Sequence, residues 1–136
     1  MTPKEFERLA RSIMTTRLGV ALTEQALEQW PKRFDLVSAD GRIVGDAKLY
    51  SMVKGKRLPP AKFATISEHI WFLKKIEADK KFLIFGNDQR VPIEWLKRWG
   101  RFVEDVDFYF LNPSGELSIL KPPDAREKPP AQEVRP

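Results

Sequence analysis

The chain has 136 residues, 42% of them hydrophobic and 32% charged, which suits one globular domain with a modest core. A formal charge of +5 favours a polyanionic partner, while the lack of cysteine excludes disulfides, thiolate zinc sites and a cysteine nucleophile, and the single histidine, His69, excludes a multi-histidine metal site. No apolar run reaches membrane-spanning length and the N-terminus lacks a signal-peptide pattern, so a cytoplasmic protein with no membrane partner is the expectation.

Thr2-Pro3-Lys4-Glu5 reads as a helix start, with Thr2 as N-cap, Pro3 at the first helical position and Glu5 closing a capping box. Phe6, Leu9, Ala10, Ile13 and Met14 then recur at helical spacing. Leu18 to Thr23 alternates like a short strand, although Thr23 to Leu27 would also suit a helical turn, and Trp30-Pro31 punctuates the chain.

Arg33 to Tyr50 carries two strand-like runs around Asp40-Gly41, a strong signal for a two-residue hairpin turn. With those two residues as the loop, Val37 faces Val44 and Asp35 lies opposite Asp46. Alternation then places Phe34 and Leu36 on one face with Ile43, Gly45, Ala47 and Leu49, and Arg33, Asp35 and Val37 on the other with Val44, Asp46 and Lys48. Directly opposed like charges destabilise a hairpin, and no adjacent side chain neutralises both aspartates, so a cation is expected between them. A hard divalent ion suits the place, because Mg²⁺ takes one or two carboxylates and keeps its waters. Lys48 projects to the same side at roughly 6.5 to 7 Å from Asp46, two residues along the strand. The bland alternative is a solvated charged face.

After Tyr50 the chain turns basic. No acidic residue falls between Ala47 and Ser67, whereas Lys48, Lys54, Lys56, Arg57 and Lys62 all do, so Lys54, Lys56, Arg57 and Lys62 are the candidate nucleic-acid contacts. From Pro60, the residues Phe63, Ile66, Ile70, Leu73 and Ile76 predict a helix to about Ala78, with Lys62 in its first turn and His69 off the apolar stripe, outside the site. Phe82-Leu83-Ile84-Phe85 reads as a strand buried on both faces, and strand, helix, strand in this order implies a parallel pair in a mixed sheet. Pro92 opens a further helix with Ile93, Trp95, Leu96 and Trp99 on its apolar side and Gly100 at its stop; core or dimer packing suits the tryptophans better than base stacking. Asp107 to Leu111 and Glu116 to Leu120 form a last hairpin, giving a domain over residues 1–120 and a flexible proline-rich tail over 121–136. No internal repeat, Walker lysine loop, G-x-S-x-G elbow or zinc spacing occurs.

Asp35 followed across a short turn by Asp46-Ala47-Lys48 resembles the core signature of the PD-(D/E)XK nuclease superfamily, with Phe34 where the motif's proline would stand. The resemblance covers roughly the first 90 residues in element order. It implies an α/β fold of restriction-endonuclease type, a mixed sheet flanked by helices in the order αβββαβ, here with an extra helix and a C-terminal hairpin. It further implies a metal-dependent endonuclease that hydrolyses DNA. Asp35, Asp46 and the Ala47 carbonyl would hold Mg²⁺, with Mn²⁺ as a substitute, and Lys48 would orient the attacking water or stabilise developing charge. A first-helix glutamate approaches the metal in many relatives. Since Glu5 serves the cap, the resemblance points to Glu7, the alternative being an ordinary helix glutamate. A catalytically inactive nucleic-acid-binding or protein-interaction module is the competing reading, and a homodimer would let such a small protein cut two strands.

Overall fold

Three layers, helix against sheet against helices, make up the computed structural model, which describes residues 1–27 and 30–121. The expected tail over 121–136 lies, apart from Lys121, outside the described residues. In chain order the elements are α1 (Pro3–Leu18), β1 (Leu22–Ala26), β2 (Arg33–Ser38), β3 (Ile43–Tyr50), α2 (Pro60–Lys75), β4 (Lys80–Asn87), α3 (Arg90–Trp99), a 3₁₀ turn (Gly100–Phe102), β5 (Asp107–Leu111) and β6 (Leu117–Leu120). The first six follow the order read from the sequence.

The six strands form one mixed sheet in sequential order, β1 to β6. β3 and β4 are parallel across α2, as are β4 and β5 across α3, while the outer pairs are antiparallel. The centre of the sheet is covered on both faces, so β4 is buried from Phe82 to Gly86.

The capping box forms as expected: Glu5 N–H donates to Thr2 Oγ1 at 3.1 Å and Thr2 N–H to Glu5 Oε1 at 2.7 Å. α1 runs on through Leu18 and stops where Gly19 turns left-handed (φ +69°), so the strand expected over 18–23 begins later, at Leu22. α1 sets Phe6, Ala10 and Met14 against Leu36, Ala47, Phe82, Ile84, Tyr109 and Leu111. A Cβ on Gly86 would stand 2.4 Å from the Phe6 ring, so the missing side chain lets α1 sit close to the sheet. On the opposite face α2 and α3 pack Ile66, Ile70, Leu73, Trp95 and Leu96 over Val37, Val44, Leu83 and Phe85.

Other boundaries differ from the sequence reading for local reasons. α2 ends at Lys75, not near Ala78, because Ile76 turns extended (ψ 133°) and is buried in the core. α3 starts at Arg90, two residues before Pro92, where Asp88 Oδ1 accepts the Arg90 N–H. Gly100 stays right-handed (φ −56°) and leads into the 3₁₀ turn, so it is not a left-handed stop. Trp95 is a core residue, stacked on Phe108 at 5.5 Å, whereas Trp99 is 48% exposed.

Candidate active site

β2 and β3 pair as expected at Val37 with Val44 and Leu36 with Gly45. The loop between the strands spans Ala39–Arg42, two residues more than expected. The register survives because the loop grows by one residue on each side of Asp40-Gly41. Ser38 closes it, donating from Oγ to Asp40 while accepting the Ile43 N–H.

Beyond Leu36 the ladder gives way to side chains. Asp35 N–H donates to Asp46 Oδ1 at 2.9 Å, and Ala47 N–H donates to Asp35 Oδ2 at 3.0 Å, so each carboxylate takes a backbone donor from the other strand. On its other edge β2 slips against β1 by one residue between Phe34 and Val37. This irregularity breaks the expected alternation: Phe34 packs with Val37 and Val44 on the α2 side, while Leu36 faces α1.

Asp46 is 1% exposed, and its Oδ2 is crowded. Lys32 Nζ lies 2.8 Å away, His69 Nδ1 3.0 Å and Lys48 Nζ 3.6 Å, while the oxygen accepts no well-aligned hydrogen bond. The two lysine distances make charge contacts whatever their angles, since attraction between ions depends little on direction, whereas His69 faces the oxygen as a neutral ring. Burial alone would raise the Asp46 pKa; the His69 contact and the charges of Lys48 and Lys32 outweigh it and hold the carboxyl well below its usual range. The same burial lowers the pKa values of Lys48 and His69. Tyr50, next along this face of β3, is pushed up to about 12 by burial and by the Asp46 charge.

Asp35 has the reverse balance. Burial, then the charge of Asp46 and more weakly that of Glu7, push its carboxyl up to about 7, against the Ala47 N–H that favours ionisation. Arg11 of α1 donates to the Asp35 backbone carbonyl at 3.1 Å, leaving the carboxylate without a cation in contact among the described residues. Glu7 Oε1 is buried and accepts no hydrogen bond; the Lys4 ammonium stands 3.5 Å off.

The structure therefore brings Asp35, Asp46 and Lys48 together, with Glu7 near enough for its charge to reach Asp35. Ala47 enters through its N–H. Lys54, Lys56 and Arg57 are exposed on the loop leaving β3, and Lys62 lies in the first turn of α2 with Nζ 5.2 Å over the Tyr50 ring. They flank the cluster and do not enter it.

Two neighbours escaped the sequence reading. His69 is buried in the cluster, not off the apolar stripe: it follows Ile66 by three residues and precedes Leu73 by four, which is the stripe's own spacing. Lys32 reaches in from just before β2, and its packing over the Phe34 ring at 4.7 Å has no sequence signature. As expected, no side chain neutralises both aspartates: Lys32, Lys48 and His69 serve Asp46 and leave Asp35 without a cation in contact among the described residues.

No family model, curated protein or solved structure matches the chain. Among the described residues no three Asp, Glu, His or Cys side chains form a ready cage for a metal, and no helix is long and apolar enough to cross a membrane.

Proposed function

We propose that the chain is a metal-dependent phosphodiesterase acting on nucleic acid, DNA first, built on a restriction-endonuclease-like sheet of the PD-(D/E)XK kind. One observation carries the reading. A half-buried carboxylate raised to about 7 sits beside a fully buried second carboxylate and a half-buried lysine, on neighbouring strands. Perturbed groups of this sort gather where charge is to be handled.

The cluster offers a hard divalent cation two adjacent carboxylates, with no ready three-ligand cage among the described residues. Mg²⁺ needs few protein ligands and keeps its waters. Asp35 lacks a cation, and Glu7 Oε1 is buried without a donor, so a positive ion there would relieve both. Asp35 and Asp46 would hold it, with Glu7 and the Ala47 carbonyl as further candidates. When bound, Mg²⁺ or Mn²⁺ acts as a Lewis acid on the phosphate and lowers the pKa of a bound water.

The chain's own part is positional. Lys48 Nζ, held 3.6 Å from Asp46, offers its remaining protons to a phosphate oxygen or to the attacking water. Tyr50 stays protonated beside it, and Lys62 over its ring starts a basic path through Lys54, Lys56 and Arg57 that grips the sugar-phosphate backbone.

The second reading, a binding module that does not cut, draws on Lys32, which already places one cation against Asp46. Labelled duplex, nicked, branched and single-stranded DNA incubated with and without Mn²⁺ separates the two. Cleavage is expected only with the ion, and Lys48→Ala should lower it by about 100-fold or more. Retained cutting in both Lys48→Ala and Asp35→Asn would refute the mechanism.

A further inference from the structure

His69 is the one histidine, and the hydrolytic scheme does not use it. It stands on α2 among Ile66, Ile70 and Leu73, which anchor that face in the core, so its ring has little freedom. The two ring nitrogens point to different partners. Nδ1 is 3.0 Å from Asp46 Oδ2, and Nε2 is 3.5 Å from Lys48 Nζ. The ammonium can only donate, so Nε2 is the acceptor and the ring hydrogen lies on Nδ1, near the carboxylate but not aligned with it for a hydrogen bond.

Lys48 needs such a partner. Its approaches to Asp46 (3.6 Å) and to His69 (3.5 Å) are both long, and Lys32, at 2.8 Å, holds the better place on the carboxylate oxygen, so neither contact alone fixes the amine. A lysine side chain has many rotamers, and a weak tether leaves most of them open. A loosely tethered amine would therefore spend time away from the reacting phosphate.

We infer that His69 is a positioning residue for Lys48: standing on α2 between the Asp46 carboxylate and the Lys48 amine, it fixes where that amine points. The inference rests on the phosphodiesterase reading for its effect on rate, but not for its effect on the amine. Lysine is the donor in this bond and imidazole the acceptor, so what matters is an acceptor atom at the Nε2 position.

The test uses the full chain with His69→Leu, His69→Asn and His69→Gln, each checked for native circular dichroism. Glutamine puts an amide oxygen near the Nε2 position, whereas asparagine reaches only as far as Nδ1. Two quantities are read: kcat and KM for Mn²⁺-dependent DNA cleavage, and acetylation of Lys48 by a limiting amine reagent, followed by peptide mass spectrometry. His69→Leu should lower kcat about ten- to a hundred-fold, the scale of a roughly 1 Å misplacement, with KM changed less than about two-fold. Lys48 labelling should change several-fold in the same variant while Lys54 labelling stays constant. Glutamine should recover most of both effects and asparagine little. Equal behaviour of Asn and Gln, or Lys48 labelling unchanged in His69→Leu, would overturn the inference. Should the wild type cut none of the DNA panel, the phosphodiesterase reading fails, while the labelling pattern still decides whether His69 positions the amine. If His69→Leu does not fold, the Asn and Gln pair alone decides it.

Discussion

Asp46, against His69 of α2, and Asp35, which feels the charge of Glu7, lie on adjacent strands and differ in almost everything that governs a carboxylate. Lys32, Lys48 and His69 crowd Oδ2 of the first, whereas the second has only a backbone N–H and two acidic neighbours. Burial is common to both, so the direction of each pKa follows from the company: down for Asp46, up to about 7 for Asp35. One half of the cluster is thus an ion-paired fixture that supports the fold. The other is a strained acid awaiting a proton or a cation.

The sharpest way to break this contrast is to remove each carboxylate in turn. Asp46→Ala strands two largely buried ammonium groups, and losing one partner of a buried charge network costs about 3–5 kcal/mol. Urea unfolding at pH 7 should show that loss, together with loss of any cleavage. A variant as stable as the wild type would mean that Lys32 and Lys48 find water readily and that the Asp46 network contributes nothing to the fold.

How far the sequence foretold this contrast depends on the range of the interactions. Asp35, Asp46 and Lys48 could be placed from the turn and the period of a strand, and the pairing of Val37 with Val44 upheld the register. Even so, alternation failed at Phe34, because the irregularity opposite β1 is a tertiary feature with no local signal. His69 was legible in principle, being on the helix stripe, but a polar residue there reads as solvent-facing until its partner is known. Lys32 was not legible, since its role depends on its side chain lying over the Phe34 ring to reach Asp46. The buried run read from the sequence stops at Phe85, and the part of the next residue, Gly86, in admitting Phe6, and so in seating α1, needs the packed layers.

Asp35 gives the next largest effect, through pH. Its folded-state pKa of about 7 exceeds the unfolded value, so between about pH 4 and pH 7 the folded chain keeps a proton that the unfolded chain has released. In cation-free buffer this group's contribution to stability is complete at the acid end of that window and declines as pH rises through it. His69 slopes the other way, because burial lowers its pKa and the folded chain sheds a proton that the unfolded chain still binds. The informative quantity is therefore the difference between wild type and Asp35→Asn, which cannot titrate. The variant should gain on the wild type by about 1 kcal/mol or more from pH 5 to pH 8, and saturating Mn²⁺ should stabilise the wild type alone. Parallel stability curves would show that Asp35 is an ordinary carboxylate, and the asymmetry would disappear.

The smallest effect concerns Lys32, which decides how closed the Asp46 half is. Lys32→Met keeps the aliphatic packing against Phe34 but removes the ammonium 2.8 Å from Oδ2, while Lys48 and His69 remain to serve the carboxylate. Folding stability should fall, by less than in Asp46→Ala, because removing one partner leaves the buried carboxylate short of a cation while Lys48 still faces it. Divalent-ion binding is the more sensitive reading. With one fewer cation beside Asp46, Mn²⁺ should bind up to about ten-fold tighter by calorimetry, equivalent to about 1.4 kcal/mol of relieved repulsion. Unchanged or weaker binding would mean that the ion and Lys32 do not compete, and that the divalent cation is held wholly on the Asp35 and Glu7 side of the cluster.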